Sequence, residues 1–484
     1  MRTMLPPLLA MLLVAPLTAP AQWQPEVRLT NNTAESITCF NNARGIATSG
    51  TAVHAVWHDS RDGAPEIYYK RSTDGGLTWG SDRRLTQDGS WSERPSVATC
   101  GSVVHVAWYD GRLGPPRIFH KRSPDNGVTW EPDVCLTPDA GVGYHPCVAA
   151  CRSMVHVVWT DMSAGPQIYH ARPTDFGVTW GAARNITPDA PAAGKNLAAV
   201  AVADSIVHVT WTDSRSVPRI YYTRSSDHGV TWEPGRGITP MPSQFASVAV
   251  SSATVHVAYA DFREGEGSPR IYFTRSMDSG TNWSTETPLA EAFASWYPSV
   301  AAAGATVHTI WLDNRHGDVS EIYARSSLDD GMSWGPETRL TTHPAESREP
   351  SLAVFGNEAH VVWNDDRDGN WEIYYMRGAM AVLGLEGGRP GGAISSLLQV
   401  GPNPSAGPVL LRYELPSSSE VFLEVFGPSG ARVCRLSQGP QAAGLHEIRW
   451  DGRDAMGQAV PSGVYLTRIV CDGVCMSGRV VVAR

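Results

Sequence analysis

The sequence predicts an all-β chain: a seven-bladed β-propeller closed by an N-terminal strand, followed by a small β-sandwich. Three observations carry that reading. A turn segment at Ser72–Trp79 returns at Ser123–Trp130, Thr174–Trp180, Ser225–Trp232, Ser276–Trp283 and Ser327–Trp334. Its period of about 50 residues, in β-rich units, signals radial repetition. A strand of the form Val/Ala-His-x-x-Trp/Tyr-x-Asp recurs seven times, at His54, His105, His156, His208, His256, His308 and His360. The third observation is a mismatch: seven such strands, but six turn segments.

Each element follows from its residues. In the turn, Asp74 can accept hydrogen bonds from amides that would otherwise be orphaned, and Gly76 takes a positive φ without steric cost. Trp79 then delivers a large apolar ring to the next strand. An apolar residue eight positions before each histidine, from Ile46 and Val97 through to Leu352, marks the innermost strand. The histidine strand is second, Glu66–Tyr69 and Arg219–Tyr222 typify the third, and Arg83–Thr86 typifies the fourth. All are short, β-branched or aromatic, and bounded by turn residues. The seventh unit stops after Tyr375 without a turn segment. Trp23, however, precedes Leu29-Thr30 by the spacing that separates Trp79 from Leu85-Thr86. Gln22–Thr30 is therefore expected as the outer strand of the last blade, which leaves no open sheet edge.

Domain limits lie where the pattern starts and stops. Residues 1–21 read as a signal peptide, with Arg2, the apolar run Leu5–Leu17 and the small-residue site Ala19-Pro20-Ala21. The propeller is expected over 22–377, a Gly/Ala-rich linker over 378–396 and the sandwich over 397–484. Candidate strands of the sandwich are Val409–Glu414, Val421–Phe426, Ala431–Leu436, Gly444–Trp450, Gly463–Cys471 and Gly478–Ala483. No run is long enough to span a bilayer, so no transmembrane segment is expected. Export would carry Cys39, Cys100, Cys135, Cys147, Cys151, Cys434, Cys471 and Cys475 to an oxidising compartment where they can pair. The connectivity stays open: Cys471 and Cys475 flank a turn, and Cys434 is an equally available partner. A net charge of -9, from 48 acidic against 39 basic residues, argues against a nucleic-acid partner. No cofactor or metal is called for. The cysteines lack zinc-site spacing, and Asp366–Glu372 lacks the glycine and distal glutamate of a calcium loop, reading instead as an exposed turn.

The Ser-x-Asp-x-Gly-x-Thr-Trp copies resemble the Asp-box (BNR) repeats of the sialidase, or neuraminidase, superfamily over roughly residues 23–377. That resemblance implies an Asp-box propeller. Sialidases also share an Arg-Ile-Pro segment, three carboxylate-gripping arginines, a Tyr-Glu nucleophile pair and six blades. This chain has no Arg-Ile-Pro and counts to seven units, so no catalytic residue is carried over. The tail is similar to FlgD-type Ig-like, type A sorting domains of type IX secretion cargo. Asn403-Pro404, Trp450–Asp454, Gly457, Pro461–Tyr465 and Arg479–Arg484 carry that likeness. It implies an Ig-like β-sandwich, outer-membrane secretion machinery as a partner, and a secreted or bacterial cell-surface location.

Two repeated features read as structural. Asp-x-Arg follows the histidine strand at Asp59/Arg61, Asp110/Arg112, Asp213/Arg215, Asp261/Arg263, Asp313/Arg315 and Asp365/Arg367, whereas blade three has Asp161 with Ser163. These arginines form either a ring for an acidic glycan or an ion pair in each turn, and recurrence in nearly every unit favours the ion pair. The seven histidines likewise read as hydrogen-bonded core groups. A single site should break the pattern. The residues that do vary precede each innermost strand, in a loop at the channel mouth opposite the turn segments. They are Asn42/Ala43, Glu93/Arg94, Tyr144/His145, Asn196/Leu197, Gln244/Phe245, Trp296/Tyr297 and Arg348/Glu349, with Trp91 and Lys195 beside them. Aromatic rings suit sugar faces and amides suit hydroxyls. Glu93 and Glu349 are conceivable paired carboxylates for glycoside hydrolysis. The expectation is a surface-delivered propeller binding glycan or another extracellular polymer at its mouth, with or without glycosidase activity. Its alternatives are an exo-sialidase with a rearranged site and a non-catalytic protein-binding propeller.

Overall fold

The computed structural model describes residues 22–39, 44–379 and 399–483, apart from 138–140, 152–153, 189–193, 266, 318, 357, 402–404, 406, 416–418, 428–431 and 472–473. The expected signal peptide, the Asn42/Ala43 pair, Asn403-Pro404 and nearly all of the expected linker lie outside the described residues. The chain divides into two compact units, Met1–Leu383 and Gly384–Arg484.

In the first unit, the described residues form seven antiparallel sheets of four or five strands. A typical blade runs outward through Ser92–Cys100, Val103–Asp110, Arg117–Ser123 and Val134–Cys135. Innermost strands of successive blades pack on one another, and Ser347–Phe355 of the last packs on Ile46–Ser49 of the first. The ring is closed by the start of the chain. Gln22 and Trp23 pair with Ala379 and Gly378, and Val27 and Arg28 with Tyr375 and Tyr374. Ion pairs fasten this seam: Arg28 to Glu372 at 2.9 Å and to Asp368 at 3.0 Å, and Arg367 to Glu26. Asn370, expected in an exposed turn, donates to the Ala34 carbonyl at 2.6 Å and so belongs to the seam as well.

The repeated turn residues do the same work wherever the full motif is present. Asp125 accepts from Thr129 N at 2.7 Å and Thr129 Oγ1 at 2.6 Å, and Gly127 N donates to Ser123 Oγ at 2.8 Å. Gly127 has φ 82°, and a Cβ there would lie 1.8 Å from the Tyr69 hydroxyl oxygen. That close approach lets Trp130 sit edge-on against Tyr69 at 5.0 Å. Trp79 meets Tyr375 of the last blade in the same way at 4.9 Å, so the joint between the last blade and the first packs as that between the first and second does.

Histidines and arginines are both absorbed by the scaffold. His54, His208 and His360 share hydrogen bonds with Tyr69, Tyr222 and Tyr375 at 2.7–2.8 Å. Burial pushes His54 and His360 down to about 4 and His208 to about 3. Arg112 grips Asp110 with Nε at 2.9 Å and Nη2 at 2.6 Å, reaches Asp133 at 2.7 Å, and lies 4.2 Å over the Phe119 ring. Burial raises the Asp110 pKa, but the Arg112 bonds outweigh it and hold the carboxyl below its ordinary value.

The second unit is two facing sheets. Gln399–Gly401, Val409–Leu415 and Gly444–Trp450 form one; Arg432–Gln441, Ser419–Phe426, Gly463–Cys471 and Val474–Val482 form the other. Leu411, Tyr413, Leu423, Trp450, Tyr465 and Ile469 fill the core between them. Among the described residues, Cys39, Cys100, Cys135, Cys147, Cys151 and Cys434 are thiols.

Candidate functional site

The innermost strands start earlier than the sequence predicts, at Ser92, Gly143, Lys195, Ser243, Ser295 and Ser347. The varying pairs therefore lie inside the strand, not in a loop before it. Pairing breaks at each of them, between Glu93 and Ser96, Tyr144 and Cys147, Asn196 and Ala199, Gln244 and Ser247, Trp296 and Ser299, and Arg348 and Ser351. The second member of each of the six described pairs takes a positive φ: Arg94 53°, His145 52°, Leu197 57°, Phe245 57°, Tyr297 50° and Glu349 52°. None is β-branched, the class for which this conformation is worst. Holding six such residues costs on the order of 1 kcal/mol each, and bulges of this kind re-aim side chains.

The re-aimed side chains make two contrasting arcs around the mouth. On one arc, Arg94 Nε donates to the Tyr109 hydroxyl at 3.2 Å, and that hydroxyl donates to Glu93 Oε2 at 2.9 Å. Tyr144 packs edge-on to Tyr109 at 5.5 Å, Trp91 does so from the other side at 5.5 Å, and His145 lies 6.4 Å away. Asn364 donates to Glu349 Oε2 at 2.8 Å. Burial pushes the Glu349 carboxyl up, opposed by the Arg94 charge, the Asn364 bond and Arg348. Burial, then the Arg94 charge, pushes His145 down to about 4 and His58 to about 3, so both imidazoles are neutral at pH 7. Arg348 pairs with Glu346 at 2.6 Å and lies 5.4 Å over the Trp371 ring.

The opposite arc is aromatic. Phe245 meets Tyr297 at 4.9 Å and Trp296 at 6.2 Å, and Phe262 backs Trp296 at 5.5 Å. Gln244 is half-buried beside them. Between the arcs, Asn196 Oδ1, Thr160 Oγ1 and Thr212 Oγ1 are buried without hydrogen-bond partners among the described residues, as is His58 Nδ1. Below, the channel is a cavity of about 170 Å³ lined by Thr48, Thr99 and alanines such as Ala98, Ala149, Ala201 and Ala249. Arg44 crosses it, donating to the Val248 carbonyl at 3.1 Å.

Lys195 is a correction. It occupies the strand position that serine holds in other blades, is 2 % exposed, and donates to Gln167 Oε1 at 3.0 Å and the Thr187 carbonyl at 2.9 Å. It stabilises the wall and does not face the mouth. A second column was missed: His58, Tyr109, Thr160, Thr212, Ala260, Leu312 and Asn364, which stand opposite Ile37 and the first member of each varying pair. The available signal was variation at a single position between a fixed aromatic and a fixed aspartate. Glu93 and Glu349 are each tied to a partner, Tyr109 and Asn364, and Arg94 stands beside both of those groups.

A family model described as BNR repeat-like domain matches residues 55–303, and one described as FlgD Ig-like domain matches residues 403–471. No curated protein matches the chain. Among solved structures, a PL25 ulvan lyase bound to -[GlcA(1-4)Rha3S]- aligns with TM-score 0.52 and 9% identity over 72% of this chain and 95% of its own. The BP39L lectin of Burkholderia pseudomallei aligns with TM-score 0.53 and 13% identity over 69% and 96%. The polysaccharide lyase Uly1 aligns with TM-score 0.51 and 9% identity over 74% and 99%. At these identities the likeness is one of fold.

Proposed function

We propose, for a chain that belongs to the family of BNR repeat-like domains, that the channel mouth binds a glycan or another extracellular polymer. The observation that carries this is the mouth's division into an aromatic arc around Phe245, Trp296 and Tyr297 and a charged arc around Arg94 and Glu349, with unpartnered buried oxygens between them. Rings stack on sugar faces, while Asn196, Thr160 and Thr212 offer hydrogen-bonding atoms that a hydroxyl-bearing ligand would satisfy. The described lectin and ulvan lyase, both propeller-like neighbours, are consistent with that ligand class. A glycosidase activity is a second reading, favoured by Glu349, whose raised pKa suits a general acid.

Export belongs to the same proposal. Residues 1–21 act as the signal peptide, and the FlgD Ig-like unit acts as the sorting domain that delivers the propeller to the cell surface. The test is a screen of acidic and neutral polysaccharides against the full chain and its Trp296→Ala variant. Binding by the wild type that the variant weakens by roughly fivefold is expected. Binding to none of them, by either protein, would remove the reading; a protein partner captured in their presence would replace it.

A further inference from the structure

Blade three lacks the arginine that its six counterparts carry, and the structure shows what this leaves behind. In the others the guanidinium lies 4.1–5.2 Å over the aromatic ring of the third strand, above Tyr68, Phe119, Tyr221, Tyr272, Tyr323 or Tyr374. It also grips the aspartate that ends the second strand, as Arg61 does Asp59 and Arg263 does Asp261. In blade three Ser163 stands in place of the arginine, and Ala183 in place of the second acid, which is Asp82, Asp133, Glu286, Glu337 or Glu26 elsewhere. The aspartate and the ring remain, as Asp161 and Tyr169. Between them is a cavity of about 500 Å³, lined also by Trp159 and Trp180 and reaching the surface at the exposed Gly181 and Ala182.

One observation gives that cavity a charge preference. Asp161 is 5 % exposed and, among the described residues, its carboxylate accepts a hydrogen bond from Ser163 N at 3.0 Å, with no cation lining the cavity. Among the described residues the Trp159 indole N–H has no partner, as is also the case for Trp211 of blade four, so the charge preference rests on Asp161. A buried carboxylate without a counter-charge is costly, and a planar guanidinium both neutralises it and stacks on the neighbouring ring. We infer that this cavity is a binding site for a guanidinium group presented from outside, the place its own repeat fills from within. The site is independent of the channel-mouth reading and stands or falls separately. Its preference is for guanidinium over ammonium, because the geometry repeated in the other blades is a flat fork on a carboxylate beneath an aromatic face.

The test titrates the full chain calorimetrically with ethylguanidinium, with a pentapeptide carrying one central arginine, and with n-butylammonium. Saturable one-site binding of the guanidinium probes is expected, with the ammonium roughly tenfold weaker. Tighter binding of the peptide than of ethylguanidinium would identify the source as an arginine on a partner chain; equal binding would identify a small cation. Ser163→Arg should fill the cavity and abolish binding, and it should fold, because Arg215 of blade four occupies the equivalent corner opposite Gly235, gripping Asp213 and lying over Tyr221. Asp161→Asn should weaken binding at least tenfold. No saturable binding by the wild type, or binding that Ser163→Arg leaves unchanged, would overturn the inference.

Discussion

Arg94 and Glu349 come from blades two and seven, yet each shifts the other's titration, because left-handed bulges aim both out of their strands. Arg94→Ala would leave the Glu349 carboxyl half-buried with less positive charge beside it. It is expected to weaken a uronate-bearing oligosaccharide by roughly tenfold or more and a neutral one by much less, a split that calorimetry reads directly. Trp296→Ala, by contrast, should weaken both alike, by about 1 kcal/mol for a lost ring contact. The variation that pointed to Glu93, Arg94, Phe245 and Tyr297 was visible in the repeat, because neighbouring positions hardly change. Lys195 was not legible. A lysine near a varying pair looks like part of a mouth, and only its pairing opposite Asp213, where Ser92 stands opposite Asp110, shows that it faces the wall.

At the scale of the element, the turn segment and the bulge place opposite demands on the backbone. The turn needs glycine because a neighbour's tyrosine leaves no room for a Cβ; the bulge takes ordinary residues into the same φ region. Gly127→Ala is expected to destabilise the propeller by roughly 2–4 kcal/mol, through strain and displacement of Tyr69, measurable as a lowered urea midpoint. Leu197→Gly, at a bulge, relieves a φ penalty of about 1 kcal/mol but empties a buried side chain, so a net destabilisation of roughly 1–3 kcal/mol is expected. Strand identity was legible from alternation and turn residues. The bulges were not: one added residue in an apolar-to-polar transition looks like the end of a strand, and the early starts at Ser92 and Ser243 followed only from the paired register.

For the whole molecule, closure was readable because a missing turn segment at one end and a surplus Trp-to-Thr spacing at the other are complementary, and the seam of Trp23 and Val27 against the last blade follows that arithmetic. What the repeat could not show was what the missing arginine of blade three leaves behind, since Ser163 is a single letter until a cavity is seen around Asp161. The ring also carries a collective pH response. Burial depresses His54, His256, His308 and His360 to about 4, and His105, His156 and His208 to about 3. Unfolded, each titrates near 6.5, so between those values the unfolded chain binds protons that the folded chain refuses. Stability is therefore fully present above about pH 6.5 and falls as the pH drops toward 4, before the arginine-paired aspartates begin to protonate. Urea midpoints that do not decrease between pH 7.5 and 5 would contradict this.

The most direct measurement is a crystal structure of the propeller with the tightest oligosaccharide found by screening. A sugar ring lying against Phe245, Trp296 or Tyr297, with its hydroxyls reaching Asn196 or Thr212 and an acidic group near Arg94, is the expected result. Density for the sugar anywhere else on the ring, with the mouth unaltered, would contradict the assignment of the channel mouth as the binding site.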